Sequence, residues 1–88
     1  MNRTLSNGSA VEHATQFGAY IRIRRQELQL TQSVLAARCG WTQERISILE
    51  RGRYGVPSIR GFVTLAAGLE VNLADLIEAA GYPLYRGL

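Results

Sequence analysis

The sequence predicts an all-α domain of five short helices, and three observations predict it. Apolar residues recur at helical spacing, small polar residues suited to capping stand before four of the apolar runs, and no alternating strand pattern occurs. At 88 residues the chain has room for one core and not for two. Residues 1–13 are rich in Asn, Ser, Gly and Thr without apolar periodicity, so they read as a disordered lead. The domain is expected over 14–81, followed by an apolar tail at 82–88.

Each helix has its own signal. The first starts near Ala14 and carries Phe17, Ile21 and Leu28 on one face, with Arg22, Arg24, Arg25 and Glu27 between them. Thr31 caps a second helix, with Leu30 before the cap and Leu35 at the fourth helical position to form a hydrophobic staple. That helix runs to about Arg38, and Gly40 supplies the residue that accepts positive φ at its end. The grammar then repeats. Thr42 caps a third helix, Trp41 staples onto Ile46, and the helix ends near Arg51 because Gly52, Gly55 and Pro57 follow. Ser58 caps a fourth helix holding Ile59, Phe62, Val63, Leu65 and Ala66. Asn72 and Asp75 make an imperfect capping pair for a fifth, which holds Leu73, Leu76 and Ile77 and stops at Gly81. Helix, tight turn at residues 39–41, then helix is the supersecondary unit that the middle of the chain describes.

Composition narrows the function. Hydrophobic residues make up 47% of the chain, enough for a core without metal or disulfide. Cys39 is the single cysteine, so neither an internal disulfide nor a multi-cysteine zinc site can form, which fits a cytoplasmic setting. No signal peptide and no membrane span are expected. Ten arginines against seven acids give +3 with no lysine, a modest excess that composition bias explains as readily as guanidinium chemistry. His13 is the only histidine and lies in the lead. No nucleophile, base and orienting group share a local constellation, and no glycine-rich phosphate loop precedes a helix. The expectation is no enzyme, no cofactor and no metal.

The run Leu30-Thr31-Gln32, Leu35-Ala36, Gly40, Ile46-Ser47, Leu49-Glu50-Arg51-Gly52 and Pro57-Ser58 closely resembles the Cro/cI-type (XRE) helix-turn-helix. The similarity spans roughly residues 17–77. It implies a lambda-repressor-like fold and a sequence-specific transcriptional regulator, a repressor that binds double-stranded DNA as a homodimer on a palindromic operator. The family pattern usually has glycine where this chain has Gln29. Either the first helix ends differently or Gln29 turns left-handed at some cost. The pattern also often has leucine where Arg24 stands.

With ~100° per helical residue, Ile46, Leu49 and Glu50 of the third helix cluster on a core face. Glu44, Ser47, Ile48 and Arg51 lie opposite, and Gln43 projects from the N-terminal end. By resemblance, Gln43, Glu44, Ser47 and Ile48 take the base-contacting positions. Gln43 suits adenine, Glu44 suits the cytosine amine, and Ile48 suits a thymine methyl, while Ser47 permits close approach. Phosphate contacts are expected from Gln32, Thr42, Arg45, Arg51, Arg53, Ser58 and the backbone around Val56, with weaker claims for Arg38 and Arg60. Arg25 and Glu50 match a structural pair joining the first helix to the third. Cys39 matches a small buried position in the turn, where a redox role is conceivable.

Two other functions stay open. One is an antitoxin whose partner, a toxin, covers helix five or the tail. The other is a protein-interaction module without DNA binding. Leu73, Ile77, Tyr82, Leu84, Tyr85 and Leu88 offer apolar surface for self-contact, or the tail folds back on its own core.

Overall fold

The computed structural model describes residues 4–53 and 57–82, with side chains from residue 12 onward. Among the described residues there are five helices and no strand: α1 (Thr4–Glu27), α2 (Gln32–Cys39), α3 (Gln43–Glu50), α4 (Ile59–Leu69) and α5 (Leu73–Ala79). The order and type agree with the sequence pattern. The start of α1 does not. It lies at Thr4, well before Ala14, so the lead expected over residues 1–13 is helical from Thr4 onward. Apolar periodicity marks a buried face rather than helicity itself. Once the packed stretch from Phe17 onward is helical, extension through proline-free sequence needs only favourable propagation. His13, expected in a flexible lead, instead sits on α1 with its ring against Gly81.

Phe17, Ile21, Leu35, Ile46, Leu65, Leu69 and Leu76 are fully buried and come from all five helices, so one core is shared by the whole fold. Phe17 and Phe62 tilt against each other with ring centroids 5.8 Å apart. Leu30 and Trp41, the residues before two caps, also pack against this core.

One terminating device closes every helix. A residue one or two past the helix donates its N–H to the carbonyl three residues back, and the next residue donates to the carbonyl five back. At α2 these bonds are Gly40 to Ala37 (3.2 Å) and Trp41 to Ala36 (2.9 Å); at α4 they are Glu70 to Ala67 (3.2 Å) and Val71 to Ala66 (3.0 Å). The pattern recurs at Gln29, Gly52 and Gly81. All five positions have positive φ, and only Gln29 (60°) and Glu70 (56°) are not glycine. Gln29 has thus taken the left-handed alternative, which lets α1 stop where a family glycine would stop it.

Thr31, Thr42, Ser58 and Asn72 cap the next helices, each accepting a backbone N–H through its side chain. A left-handed residue, an apolar residue and a cap therefore make a three-residue corner at 29–31, 40–42 and 70–72.

Candidate nucleic-acid interface

The position of α3 is set by α1. A methyl group at Gly18 would stand 2.5 Å from the carbonyl oxygens of Leu49 and Glu50, so the bare backbone there lets α1 lie directly on the C-terminal end of α3. Two turns further along α1, the Arg25 guanidinium grips Glu50 with two bonds. Nε donates to Oε2 at 2.6 Å and Nη2 donates to Oε1 at 3.0 Å. The Glu50 side chain is 3% exposed and that of Arg25 11%. Donating to the Glu50 carboxylate holds Arg25 protonated beyond the ordinary arginine range, against the opposing effect of burial. Arg25 Nη1 also donates to the Leu30 carbonyl at 2.7 Å, which ties the pair to the corner that starts α2.

From Glu50 the bonding continues to the reading end. Gln32 Nε2 donates to Glu50 Oε1 at 3.0 Å, and Gln43 Nε2 donates to Gln32 Oε1 at 3.2 Å. Arg25, Glu50, Gln32 and Gln43 thus form one relay across α1, α2 and α3. Gln43, at the far end, is exposed, and its bond to Gln32 is the solvent-facing link of the relay. The helical wheel identifies the faces but cannot supply this relay, because Gln32 and Glu50 are 18 residues apart. The signal available in sequence was indirect: a buried carboxylate beside the core face has lone pairs that need several donors.

Glu44 is exposed, and Ser47 and Ile48 are partly exposed, while Ile46, Leu49 and Glu50 are buried. The two faces of α3 are separated as its periodicity requires. Arg51 and Arg53 are exposed at the end of α3, and Arg51 Nε donates to the Ser47 carbonyl at 3.3 Å. The Thr42 and Ser58 hydroxyls serve as caps, accepting from Arg45 N (3.2 Å) and Gly61 N (3.1 Å). Arg45 stacks over the Trp41 ring, 3.7 Å from its centroid, which fixes its guanidinium between α3 and the start of α4. Arg60 is exposed in the first turn of α4. The backbone around Val56 lies outside the described residues.

Two arginines do something else. Arg24 donates from Nε to the Leu69 carbonyl (2.9 Å) and from Nη2 to the Glu70 carbonyl (3.2 Å). Arg38 Nη1 donates to the Gly68 carbonyl and to Glu70 Oε2, both at 3.0 Å. These cations satisfy the carbonyl end of α4 and complement its dipole. The departure from leucine at Arg24 therefore has a structural use. Cys39 is buried with its sulfur facing Gly68, and burial raises its thiol pKa. A neutral, enclosed thiol is a poor nucleophile, so this geometry gives no support to redox sensing.

Among the described residues no group of three or more metal-ligating side chains occurs, and no helix is long and apolar enough to cross a membrane.

Two short helices meeting at a tight corner, the second with its N-terminus tethered and its outer face left polar, define a helix-turn-helix. Residues 16–80 match the family described as a helix-turn-helix domain. The chain belongs to that family, in its Cro/cI (XRE) type, whose members are DNA-binding transcription regulators and not enzymes. It is 36% identical over 66 residues to the HTH-type transcriptional repressor RghR of Bacillus subtilis (strain 168), a match covering 75% of this chain and 49% of the relative. The chain spans about half the length of that curated relative. In structure it is similar to the clp gene regulator ClgR from C. glutamicum (TM-score 0.67, 28% identity, 77% of this chain and 87% of the other). The restriction-modification controller protein C.AhdI from Aeromonas hydrophila matches with TM-score 0.67 and 28% identity over 72% of this chain and 94% of its own.

Proposed function

We propose that the chain is a cytoplasmic, sequence-specific repressor that binds a palindromic DNA operator as a homodimer, with α3 lying in the major groove. The observation that carries this is the relay from Arg25 through Glu50 and Gln32 to Gln43. In this reading the bond to Gln32 orients the Gln43 amide toward the groove, which favours specific contact. In this reading Gln43, Glu44, Ser47 and Ile48 face base edges, and Gln32, Thr42, Arg45, Arg51, Arg53 and Ser58 flank them at phosphates. Gln32 then does two things at once, steadying Gln43 and standing at the free N–H end of α2. Repression as the direction of control is carried over from the Bacillus subtilis relative.

The self-contact we favour moves from helix five to α4. Leu73 and Ile77 are partly buried against the chain's own core, whereas Ile59 and Val63 are exposed one turn apart on α4. Tyr82 lies edge-on to Phe62 at 6.5 Å, beside the same helix, and residues 83–88 lie outside the described part. In this reading two copies related by a two-fold axis cover this apolar strip, and the operator requires their α3 helices about one DNA turn, ~34–36 Å, apart. The exposed strip also favours the antitoxin as a second reading, with a toxin in place of the second copy.

Selection of bound sites from random DNA tests the main reading. A symmetric site with two half-sites one turn apart supports it, and enrichment of no sequence removes it. Sedimentation separates the partners: self-association weakened by Val63→Asp supports the homodimer, while a monomer at every concentration and on DNA gives the strip to another protein.

A further inference from the structure

We propose that Arg22, which no sequence motif singles out, binds a DNA backbone phosphate beside the reading helix. This rests on α3 being the helix that enters the groove.

Glu50 accepts two hydrogen bonds from Arg25 and one from Gln32. Its Oε1 already accepts two of them, from Arg25 Nη2 and from Gln32 Nε2. Arg22 comes from the same side, one helical turn before Arg25, and its Nε stops 3.9 Å from Glu50 Oε1. That separation is an ionic contact and too long for a hydrogen bond. The five N–H donors of its guanidinium are therefore not spent on Glu50. Charge points the same way. Arg22 and Arg25 bring two positive charges to one carboxylate, so the cluster carries an excess of +1.

Position supplies the rest. The oxygen that Arg22 approaches, Glu50 Oε1, is the one that receives Gln32 Nε2, and Gln32 in turn receives Gln43. Arg22 is thus one residue removed from Gln32 in the first turn of α2, and two removed from Gln43, the first residue of α3. Its side chain is 51% exposed, against 11% for Arg25. Two arginines meet one glutamate, and they divide the work. Arg25 is consumed by the fold, and Arg22 faces outward with its donors available, aimed only loosely by the carboxylate behind it. A phosphate diester oxygen is the anion that fits an outward guanidinium beside the α2 N-terminus, where the proposed function already places Gln32 at the DNA backbone.

The test is a salt titration of binding to the selected operator and to scrambled DNA, for wild type, Arg22→Ala, Arg22→Lys and Arg53→Ala. Arg22→Ala should make the slope of log K against log[salt] shallower by about 0.9 on both DNAs, as loss of one phosphate contact requires. Arg22→Lys should keep the wild-type slope, and Arg22→Ala should melt within a few degrees of wild type. A wild-type slope for Arg22→Ala overturns the proposal. So does a large drop in melting temperature with the slope unchanged, because Arg22 would then serve the fold. If wild type shows no salt-dependent binding to either DNA, the DNA-binding reading falls and this proposal with it. If Arg53→Ala shifts the slope and Arg22→Ala does not, this proposal fails alone.

Discussion

Neighbouring arginines of α1 run to the C-terminal ends of two different helices, Arg25 to the Glu50 carboxylate and Arg24 to the Leu69 and Glu70 carbonyls. Arg25 meets Glu50 at the end of α3, joined by Gln32 of α2, whereas Arg24 meets the end of α4, where Arg38 of α2 binds Glu70. The plan is the same: α1 and α2 each send a side chain to the C-terminal end of a third helix. Surroundings make the two differ. Glu50 is 3% exposed and takes part in a closed network, while Glu70 is 56% exposed and holds its place mainly through backbone carbonyls. A buried ionic cluster couples three elements and leads to the reading end of α3. The exposed one acts as a local helix stop that water can replace.

The contrast should be measurable. Glu50→Ala leaves the Arg25 charge buried without its partner and should cost ~3–5 kcal/mol, seen as a large fall in melting temperature. Glu12→Ala, at an exposed site, is the control and should melt like wild type. If the two variants melt together, the buried cluster does not hold the fold.

Gly18→Ala comes next, at ~1–3 kcal/mol, because the added methyl meets backbone oxygens of α3 that cannot rotate away. Hydrogen exchange should quicken in α3 and leave the end of α4 unchanged. Faster exchange at both ends would mean that the two regions are not separable.

The sign reverses at the corner before α2. Gln29 sits at φ 60°, so Gln29→Gly should stabilise the protein by about 1 kcal/mol in chemical denaturation. Loss of stability there would show that its side chain contributes more than its backbone conformation costs.

The smallest effect belongs to Glu70. Glu70→Gln removes an exposed ion pair with Arg38 but keeps every carbonyl bond, so it should change stability by less than about 1 kcal/mol. A loss matching that of Glu50→Ala would erase the distinction between the two regions.

Much of this was legible in the sequence, for a physical reason. Caps, left-handed corners and periodic apolar faces are local, and Thr31, Thr42, Ser58 and Asn72 announce their helices within three residues. The α1 start was missed because residues before the core carry no buried face, and patterning detects only burial. The relay through Gln32 was missed because side-chain reach between distant residues is set by packing. Periodicity shows that Leu73 and Ile77 share a face, and the fold adds that this face is partly buried against the core. The left-handed Gln29 was readable as one of two outcomes because a family glycine is missing at a position that still needs a corner.

The central claim, that the exposed face of α3 reads DNA sequence while the buried face only holds it in place, has one direct measurement. Binding is titrated on the selected operator and on scrambled DNA, for wild type and for the triple variant Gln43→Ala, Glu44→Ala, Ile48→Ala. All three side chains lie off the buried face, so the variant should stay folded. Its preference for the operator should collapse, at ~1–3 kcal/mol for each lost base contact, while binding to scrambled DNA holds or rises as the Glu44 carboxylate leaves the phosphates. A folded triple variant that keeps the wild-type preference would contradict the account, and sequence would have to be read elsewhere.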